Sequence, residues 1–325
     1  MPALPIDTTA TANDMAISMF GNGITIISAT YAGVAAASGT YTGDDASAPD
    51  IKPAATGVIL STANATAVTN CSGDVNATEG TGTDHGTSGD SDLDTISGAT
   101  TYDAAVFEAD FVPDGSTLTM QIVFFSDEYL EYVDGGFNDA VGVWVNGVQA
   151  QISVGSGNIS IDNINDEDNA NLYADNPAAV DTYNTEMDGF TVTLTLKAPV
   201  TPGATNMIKL AIADSGDGDL DSNLLIAGGS VQTVLITGHD TASLKLGQSG
   251  DFDLLSNDSS TSSMDLMITQ INGQPVSVGD VVSRFKAKTP QSILAKVLWE
   301  HTAPPLFRRC ICRATNKLRI QRQSG

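Results

Sequence analysis

The densest group of acidic residues is the run Asp214-Ser-Gly-Asp-Gly-Asp-Leu-Asp221, in which four carboxylates fall within eight positions. Calcium takes about six to eight oxygen ligands in a flexible geometry, and a divalent ion offsets repulsion between charges held this close. The order lacks a glycine and a closing glutamate at the positions that an EF-hand loop requires. The run therefore predicts a calcium site of another type, and the alternative is a solvated acidic loop.

A second polar group follows a strand-like run. Asp127 and Glu128 come directly after TLTMQIVFFS, and Asn138-Asp139 lies a short way further along. For Glu128, a ligand role and an acid at an exposed strand end are equally consistent with the sequence. Tyr129 and Tyr132 lie close by and are candidates for contact with a sugar, although the edge of the core is the simpler interpretation.

Two further acidic segments could bind calcium, at residues 90–94 (DSDLD) and 162–168 (DNINDED). Both are short and polar, and the pattern favours solvated loops. A glycosidase acid/base pair could be drawn from Asp127 with Glu128 or from Asp139 with Asp214. Aromatic residues make up only 6% of the chain, however, and there is no G-x-S-x-G nucleophile motif. We therefore expect a protein that is not an enzyme.

The charge is strongly unbalanced, with 39 acidic and 14 basic residues and a net charge of −25. Ten basic residues and one acid lie in 284–325, so residues 1–283 carry 4 basic and 38 acidic residues. Such a body repels nucleic acid and anionic membranes, whose recognition depends on Lys and Arg. Three cysteines are too few for a disulfide framework, and no apolar run is long enough to span a membrane.

The residue pattern after a short N-terminal helix is that of β-strands. The helix is expected over 13–20, with Asn13 as its N-cap and Gly21 as its stop. TLTMQIVFF and FTVTLTLK alternate apolar and polar residues, and Asn146-Gly147 is a strong hairpin signal. Residues 71–101 are rich in Gly, Ser, Thr and Asp and are expected to form a long surface loop. The fold class is therefore all-β, a β-sandwich or jelly roll.

Several separated blocks resemble the bacterial choice-of-anchor L domain, over about residues 8–235. That family's pattern is a strand ending in S-x-E-Y, then F-N-D, Y-x-D-N, D-G-T and I-A-D-x-x-D-x-x-x-D-S. Here it corresponds to SDEY, FND, YADN, DGF and IADSGDGDLDS, with Phe190 in place of the usual Thr. The resemblance implies an extracellular β-domain of large surface or secreted proteins, with no known catalysis.

By the same resemblance, Glu128, Asn138, Asp139, Asp214, Asp217 and Asp221 fall on the family's motif positions. Residues at the ends of separate strands are expected to converge on one site. With the remaining acid of the densest run added, the predicted Ca²⁺ ligands are Glu128, Asn138, Asp139, Asp214, Asp217, Asp219 and Asp221.

Three segments are expected along the chain. Residues 1–237 form the sandwich, and 238–283 are similar to the start of an Ig-like or cadherin-like adhesin repeat, a truncated β segment. Residues 284–325 are basic and lose the period of two, so they predict a disordered or out-of-frame tail; a short basic helix docked on the acidic body is the alternative.

The function predicted from the sequence is that of a non-enzymatic, calcium-stabilised extracellular module of a bacterial adhesin-like protein. The alternatives are a calcium-dependent carbohydrate-binding module, whose partner would be an extracellular glycan or cell-surface ligand, and a secreted polysaccharide hydrolase. The N-terminus lacks the basic and apolar regions of a signal peptide, which predicts a cell-surface or extracellular location reached by another route.

Overall fold

The computed structural model describes residues 2–43, 48, 50–70, 76–77, 80–178 and 182–233, together with the backbone of short strands between 235 and 321. The chain divides into two compact units, Met1–Val234 and Leu235–Gly325. The site described below lies entirely in the first unit.

The first unit is built mainly from strands, which confirms the predicted all-β class. Its helices are α1 (Ala12–Met19) and α2 (Ser91–Ser97), and its short 3₁₀ segments are Ala35–Ala37, Ala65–Val68 and Ala170–Leu172. Its strands are β1 (Ile6–Asp7), β2 (Ile24–Ala32), β3 (Ser38–Thr42), β4 (Thr56–Ser61), β5 (Thr101–Pro113), β6 (Thr117–Ser126), β7 (Ala140–Val145), β8 (Val148–Gln149), β9 (Gln151–Ile152), β10 (Ile159–Ser160), β11 (Tyr173–Asp175), β12 (Gly189–Thr191), β13 (Leu194–Pro199), β14 (Asn206–Ser215), β15 (Ser222–Ala227) and β16 (Gln232–Thr233).

These strands form two antiparallel sheets. The larger has the order β1-β3-β4-β15-β6-β12-β11, with β13 and β16 also paired to β6 and β9 paired to β13. The smaller has the order β10-β7-β14-β5-β2, with β8 paired to β7 through the predicted Asn146-Gly147 turn. Asn146 and Gly147 have φ values of 51° and 76°, the left-handed pair that a tight hairpin turn requires.

The main core lies between the two sheets and follows the predicted alternation of β6. Leu118, Met120, Ile122 and Phe124 are all buried in one cluster with aromatic side chains of β5 such as Phe107. Antiparallel strands with one face on the core bury every second residue. The two inner faces therefore pack as the layers of a sandwich.

The predicted alternation is wrong at Val192, whose side chain is 40% exposed. Phe190 pairs with Phe125, whereas Leu194 pairs with Ile122, so residues 191–193 stand opposite 123–124. A one-residue bulge moves every following side chain to the other face. Phe190 therefore packs on the outer face of the larger sheet, and Leu194 packs in the main core.

Helix α1 begins one residue before the predicted range, and its N-cap lies two residues before the predicted one. Its N-cap is Thr11 and not Asn13. The Thr11 hydroxyl accepts from the Asp14 amide at 3.2 Å, and the Asp14 carboxylate accepts from the Thr11 amide at 2.9 Å. This reciprocal capping box satisfies two backbone donors that a side chain at Asn13 would leave unpaired.

The predicted long surface loop over 71–101 contains helix α2 in its described part. Asp90 is the N-cap, and its carboxylate accepts from the Asp92 amide at 3.0 Å. Gly98 ends the helix with φ 82°, a conformation that glycine adopts without strain. Leu93 is fully buried and anchors the helix on the smaller sheet.

The second unit contains the short strands β17 (Leu235–Ile236), β18 (Ser249–Phe252), β19 (Ser259–Ser260), β20 (Gln270–Ile271), β21 (Gln274–Pro275), β22 (Val281–Ser283), β23 (Ala295–Lys296) and β24 (Leu318–Gln321). Strands β20 and β21 pair on either side of Asn272 and Gly273, which themselves lie outside the described part. The predicted repeat over 238–283 and basic tail over 284–325 fall largely outside the described residues and stay predictions.

Candidate functional site

Buried acidic residues collect where strands of both sheets end. Asp127 follows β6, Asp139 precedes β7, and Asp221 precedes β15. The pairs Ser222–Ser126 and Ala213–Ala140 bring these strand ends together in antiparallel register. We call the resulting group the carboxylate cluster; its members, each at most 3% exposed, are Asp103, Asp127, Glu128, Asp139, Asp214 and Asp221.

Asp139 lies at the centre of the cluster and is fully buried. One carboxylate oxygen, Oδ1, accepts from the Ser215 amide at 2.8 Å, and Oδ2 accepts from the Ser222 hydroxyl at 2.7 Å. Ser215 ends β14 of the smaller sheet, and Ser222 begins β15 of the larger one. Asp139 thus joins the two sheets at their edge.

Asp103 belongs to the cluster although the sequence analysis missed it. In β5, Asp103 and Ala104 together stand opposite the single residue Ala213 of β14, which is a β-bulge. Asp103 has φ 47°, a left-handed conformation that Asp adopts more readily than most residues. Bulges of this kind re-aim side chains next to functional sites. Burial is the main cause that raises the pKa of Asp214 and of Asp221, and Asp103 lies close enough to both carboxyls to add to the rise.

A segment from another part of the chain lies on the cluster. In residues 81–87, which we call the strap, every second backbone amide donates to a cluster carboxylate. The bonds are Thr81 N to Asp127 Oδ2 (2.7 Å), Thr83 N to Asp221 Oδ1 (2.8 Å), His85 N to Asp103 Oδ2 (2.7 Å) and Thr87 N to Asp103 Oδ1 (2.6 Å). Over 81–85 the period of two is typical of an extended chain, whereas Gly86 has φ 65° in the left-handed region. Residues 81–87 form no ladder with a strand.

Three carboxylate oxygens of the cluster are buried and have no hydrogen-bond partner among the described residues. They are Glu128 Oε2, Asp214 Oδ1 and Asp221 Oδ2. Buried polar atoms in folded proteins almost always find a partner, so each exception calls for an explanation. An ion or water molecule at these oxygens would supply it.

Burial shifts the acid–base equilibria of the cluster toward the protonated forms. It raises the pKa of Glu128 to about 9, with further contributions from Asp139 and Asp217. It raises the pKa of Asp139 to about 7, against the hydrogen bonds from Ser222 and Ser215. The pKa values of Asp127 and Asp214 are also raised well above the usual range for the same reason.

Cationic side chains are scarce around the cluster. Residues 1–283 hold only four Lys or Arg residues, and one of them, Lys209, pairs with Asp90 and Asp92, which lie outside the cluster. Near Asp221, where burial raises the carboxyl pKa, the His85 imidazole partly opposes the rise. The cluster therefore brings six acidic side chains together in a part of the chain that holds few cations.

The remaining predicted ligands lie at the rim. Asp217 is half-buried and Asp219 is exposed, yet both are near enough to Glu128 to raise its pKa. The Asn138 side chain binds backbone groups of two other segments. Its Oδ1 accepts from the Asp162 amide at 3.0 Å, and its Nδ2 donates to Ser97 O at 3.1 Å. Within the described residues, no three Asp, Glu, His or Cys side chains are arranged so that they could hold a metal ion.

The model of the choice-of-anchor L domain matches residues 6–232, which is more than half of the chain. The chain belongs to the choice-of-anchor L family. No curated protein and no solved structure matches it. Membership indicates a bacterial surface-associated module, and none of the helices in the described residues has the length and apolarity needed to cross a membrane.

The matched range contains the whole carboxylate cluster and the strap. In this choice-of-anchor L domain, Asp92 is exposed as predicted for residues 90–94, whereas Asp90 and Asp94 are partly buried and have structural roles. Asp90 caps α2 and, with Asp92, binds Lys209 Nζ at 2.7–2.8 Å. Asp94 accepts from the Thr101 amide at 2.7 Å.

The acids of 162–168 also take part in the loop structure of the domain. The carboxylate of Asp162 accepts from the Asp134 amide at 2.6 Å. Asn165 accepts from the amides of Glu167 and Asp168, so its side chain closes the turn. These contacts explain the second acidic segment without an ion.

Proposed function

We propose that this choice-of-anchor L domain is a calcium-stabilised, non-enzymatic extracellular module of a bacterial adhesin-like protein. The observation that carries the proposal is the carboxylate cluster, in which six acids are at most 3% exposed and three oxygens lack a hydrogen-bond partner in the described residues. An uncompensated buried charge is strongly destabilising. A bound divalent cation would neutralise these buried carboxylates and thereby stabilise the folded domain.

Calcium suits this arrangement better than other common ions. Carboxylate, carbonyl, hydroxyl and water oxygens all serve as its ligands, in a flexible geometry of about six to eight. Two carboxylates supplemented by such oxygens suffice, so the proposal does not need three acids already arranged around one point. Magnesium demands a tighter octahedron and gives up its water reluctantly. Zinc prefers nitrogen and sulfur ligands, and His85 is the nearby candidate for one such ligand.

The test compares thermal unfolding of the purified protein in calcium and in EGTA, with calorimetric titration of Ca²⁺. Asp214→Asn is expected to have opposite effects in the two conditions. In EGTA at alkaline pH, where more of this buried carboxyl is ionised, it removes a buried charge and should raise the melting temperature, whereas in calcium it should abolish most of the stabilisation. Asp114→Asn makes the same change on an exposed residue just beyond the other end of β5 and should do neither. No calcium heat and identical melting curves would refute the proposal.

A second candidate function, calcium-dependent glycan binding, is favoured by two exposed tyrosines. Tyr132 and Tyr102 are 40% and 39% exposed. Tyr132 packs on Phe137, which lies against Gly216. Tyr102 lies against Gly218. The two tyrosines therefore flank the acidic run 214–221, which we call the acidic loop. Aromatic faces beside a calcium ion can hold a sugar through its ring and its hydroxyls.

Glycan arrays in calcium and in EGTA test this second candidate. Retention that requires calcium and falls in Tyr132→Ala would establish a binding module. A Tyr31→Ala variant, changed in β2, serves as the control. An absence of glycan retention in calcium leaves a structural module.

A further inference from the structure

We propose that the strap is a calcium-dependent latch: residues 81–87 stay docked on the carboxylate cluster while a cation is bound and are released when it is removed. This inference rests on the proposed function and adds to it the element of the fold that responds to the ion. The strap is connected to the cluster by the four alternating amide bonds described above.

Asp221 is the residue through which ion and strap are coupled. Its Oδ1 accepts from the Thr83 amide at 2.8 Å, while its Oδ2 is buried and has no partner among the described residues. The side chain is 2% exposed, so bulk water does not reach this second oxygen freely. A cation at Oδ2 would fix the charge and the orientation of the same carboxylate that holds Thr83.

The other two carboxylates that bind the strap are already saturated by it or by nearby backbone. Asp103 accepts through both oxygens from His85 and Thr87. Asp127 accepts from Thr81 through Oδ2 and from the Asp188 amide through Oδ1. These two act as anchors. Both lie near Asp221: besides the effect of burial, Asp103 adds to the raised pKa of Asp221, and Asp221 adds to that of Asp127. Without a cation, repulsion among the ionised carboxylates works against the docked strap.

Gly82 packs tightly against the acidic loop. A substitution at Gly82 can therefore displace the strap while every carboxylate of the cluster stays unchanged. A Cβ at Gly82 would lie 2.2 Å from the backbone oxygen of Asp219, a collision that the backbone must relieve by moving. A Cβ at Gly80 would meet only the end of the Leu220 side chain at 3.2 Å, which can move aside. Gly82→Ala and Gly80→Ala are therefore a matched pair of variants within two positions.

Coupling between two sites is reciprocal, so a strap that docks through calcium must also strengthen calcium binding. Gly82→Ala is expected to weaken calcium affinity by about tenfold, within the usual range of such couplings. Gly80→Ala should leave the affinity unchanged. A folded Gly82→Ala protein that binds calcium as tightly as the unmodified chain would overturn the latch.

Hydrogen exchange on the unmodified protein provides a test that needs no variant. In EGTA, peptides covering 80–89 should exchange at least about tenfold faster than in calcium, whereas peptides from β6 should change little, because local opening leaves the core closed. If titration shows calcium binding but exchange of 80–89 is the same in both conditions, the latch is wrong and the proposed function stands. If no calcium binds at all, both are wrong.

Discussion

The Asp139 carboxylate accepts a hydrogen bond from the Ser222 hydroxyl at 2.7 Å, and this bond connects the two sheets of the sandwich. Asp139 directly precedes β7 of the smaller sheet, and Ser222 begins β15 of the larger one. Neither residue touches solvent. A buried hydrogen bond to a charged acceptor is stronger than one on the surface, so this edge is stabilised by polar contacts where the apolar core ends.

Ser222→Ala removes that donor and should lower the free energy of unfolding by about 1.5–3 kcal/mol, the usual contribution of a hydrogen bond to a charged group. Ser28→Ala is the matched control, because the Ser28 hydroxyl also donates to an aspartate, Asp110, but at an exposed position. It should change stability by no more than about 0.5 kcal/mol. Urea unfolding in calcium measures both. Equal losses would mean that burial does not strengthen the Asp139 bond.

The acids of α2 should behave differently from the cluster. Asp90→Ala removes the N-cap of α2 and the contact with Lys209, and should cost about 1–2 kcal/mol. Asp92→Ala removes one exposed contact with the same lysine and should cost less than about 0.5 kcal/mol. Both variants should keep the full increase in melting temperature on adding calcium. If Asp90→Ala lost that increase, the result would show that α2 contributes to the ion site.

Much of this site was visible in the sequence because its acids are crowded along the chain. Asp214 and Asp221 stand out by spacing, and Glu128 and Asp139 stand out by following or preceding strand-like runs. The alternation of β6 likewise predicted which side chains form the core. Local patterns are informative where the structure is itself local.

Asp103 and the strap could not be predicted in this way. Asp103 lies within a strand, and only a bulge of one residue turns its side chain toward the cluster. The strap has the Gly, Thr and Asp content of a loop, and Asp221, which Thr83 binds, is 138 positions away. The alternation of Thr81, Thr83, His85 and Thr87 was the available signal, but it becomes informative only once the partners are known.

Stability should fall with rising pH when calcium is absent. Burial raises the pKa of Asp139 to about 7 and that of Glu128 to about 9, so the folded state holds protons that the unfolded state has released. Stability is therefore greatest below about pH 4 for these groups and is lost as the pH rises through about 7 and about 9. Melting in EGTA at pH 5, 7 and 9 should show a continuous decrease attributable to the cluster.

The same series in saturating calcium separates the cluster from other titrating groups. A bound cation keeps the carboxylates ionised at all three pH values, so the decrease should largely disappear. Glu128→Gln should also flatten the series in EGTA, whereas Glu131→Gln, an exposed residue three positions away, should not. A slope that calcium and Glu128→Gln both leave unchanged would assign the titration to groups elsewhere.

The size of the calcium effect follows from mass action. Extracellular modules bind Ca²⁺ with dissociation constants of about 10⁻⁴–10⁻³ M. In about 10 mM calcium, a site of ~10⁻⁴ M would add about 2.7 kcal/mol to the free energy of unfolding. That is a large share of the ~5–15 kcal/mol typical of a domain.

The melting temperature should rise steadily with the logarithm of calcium concentration, and magnesium should produce much less of a rise. Asp217→Asn, at the rim of the cluster, should reduce the rise, and a full rise in magnesium would identify a less selective anionic surface.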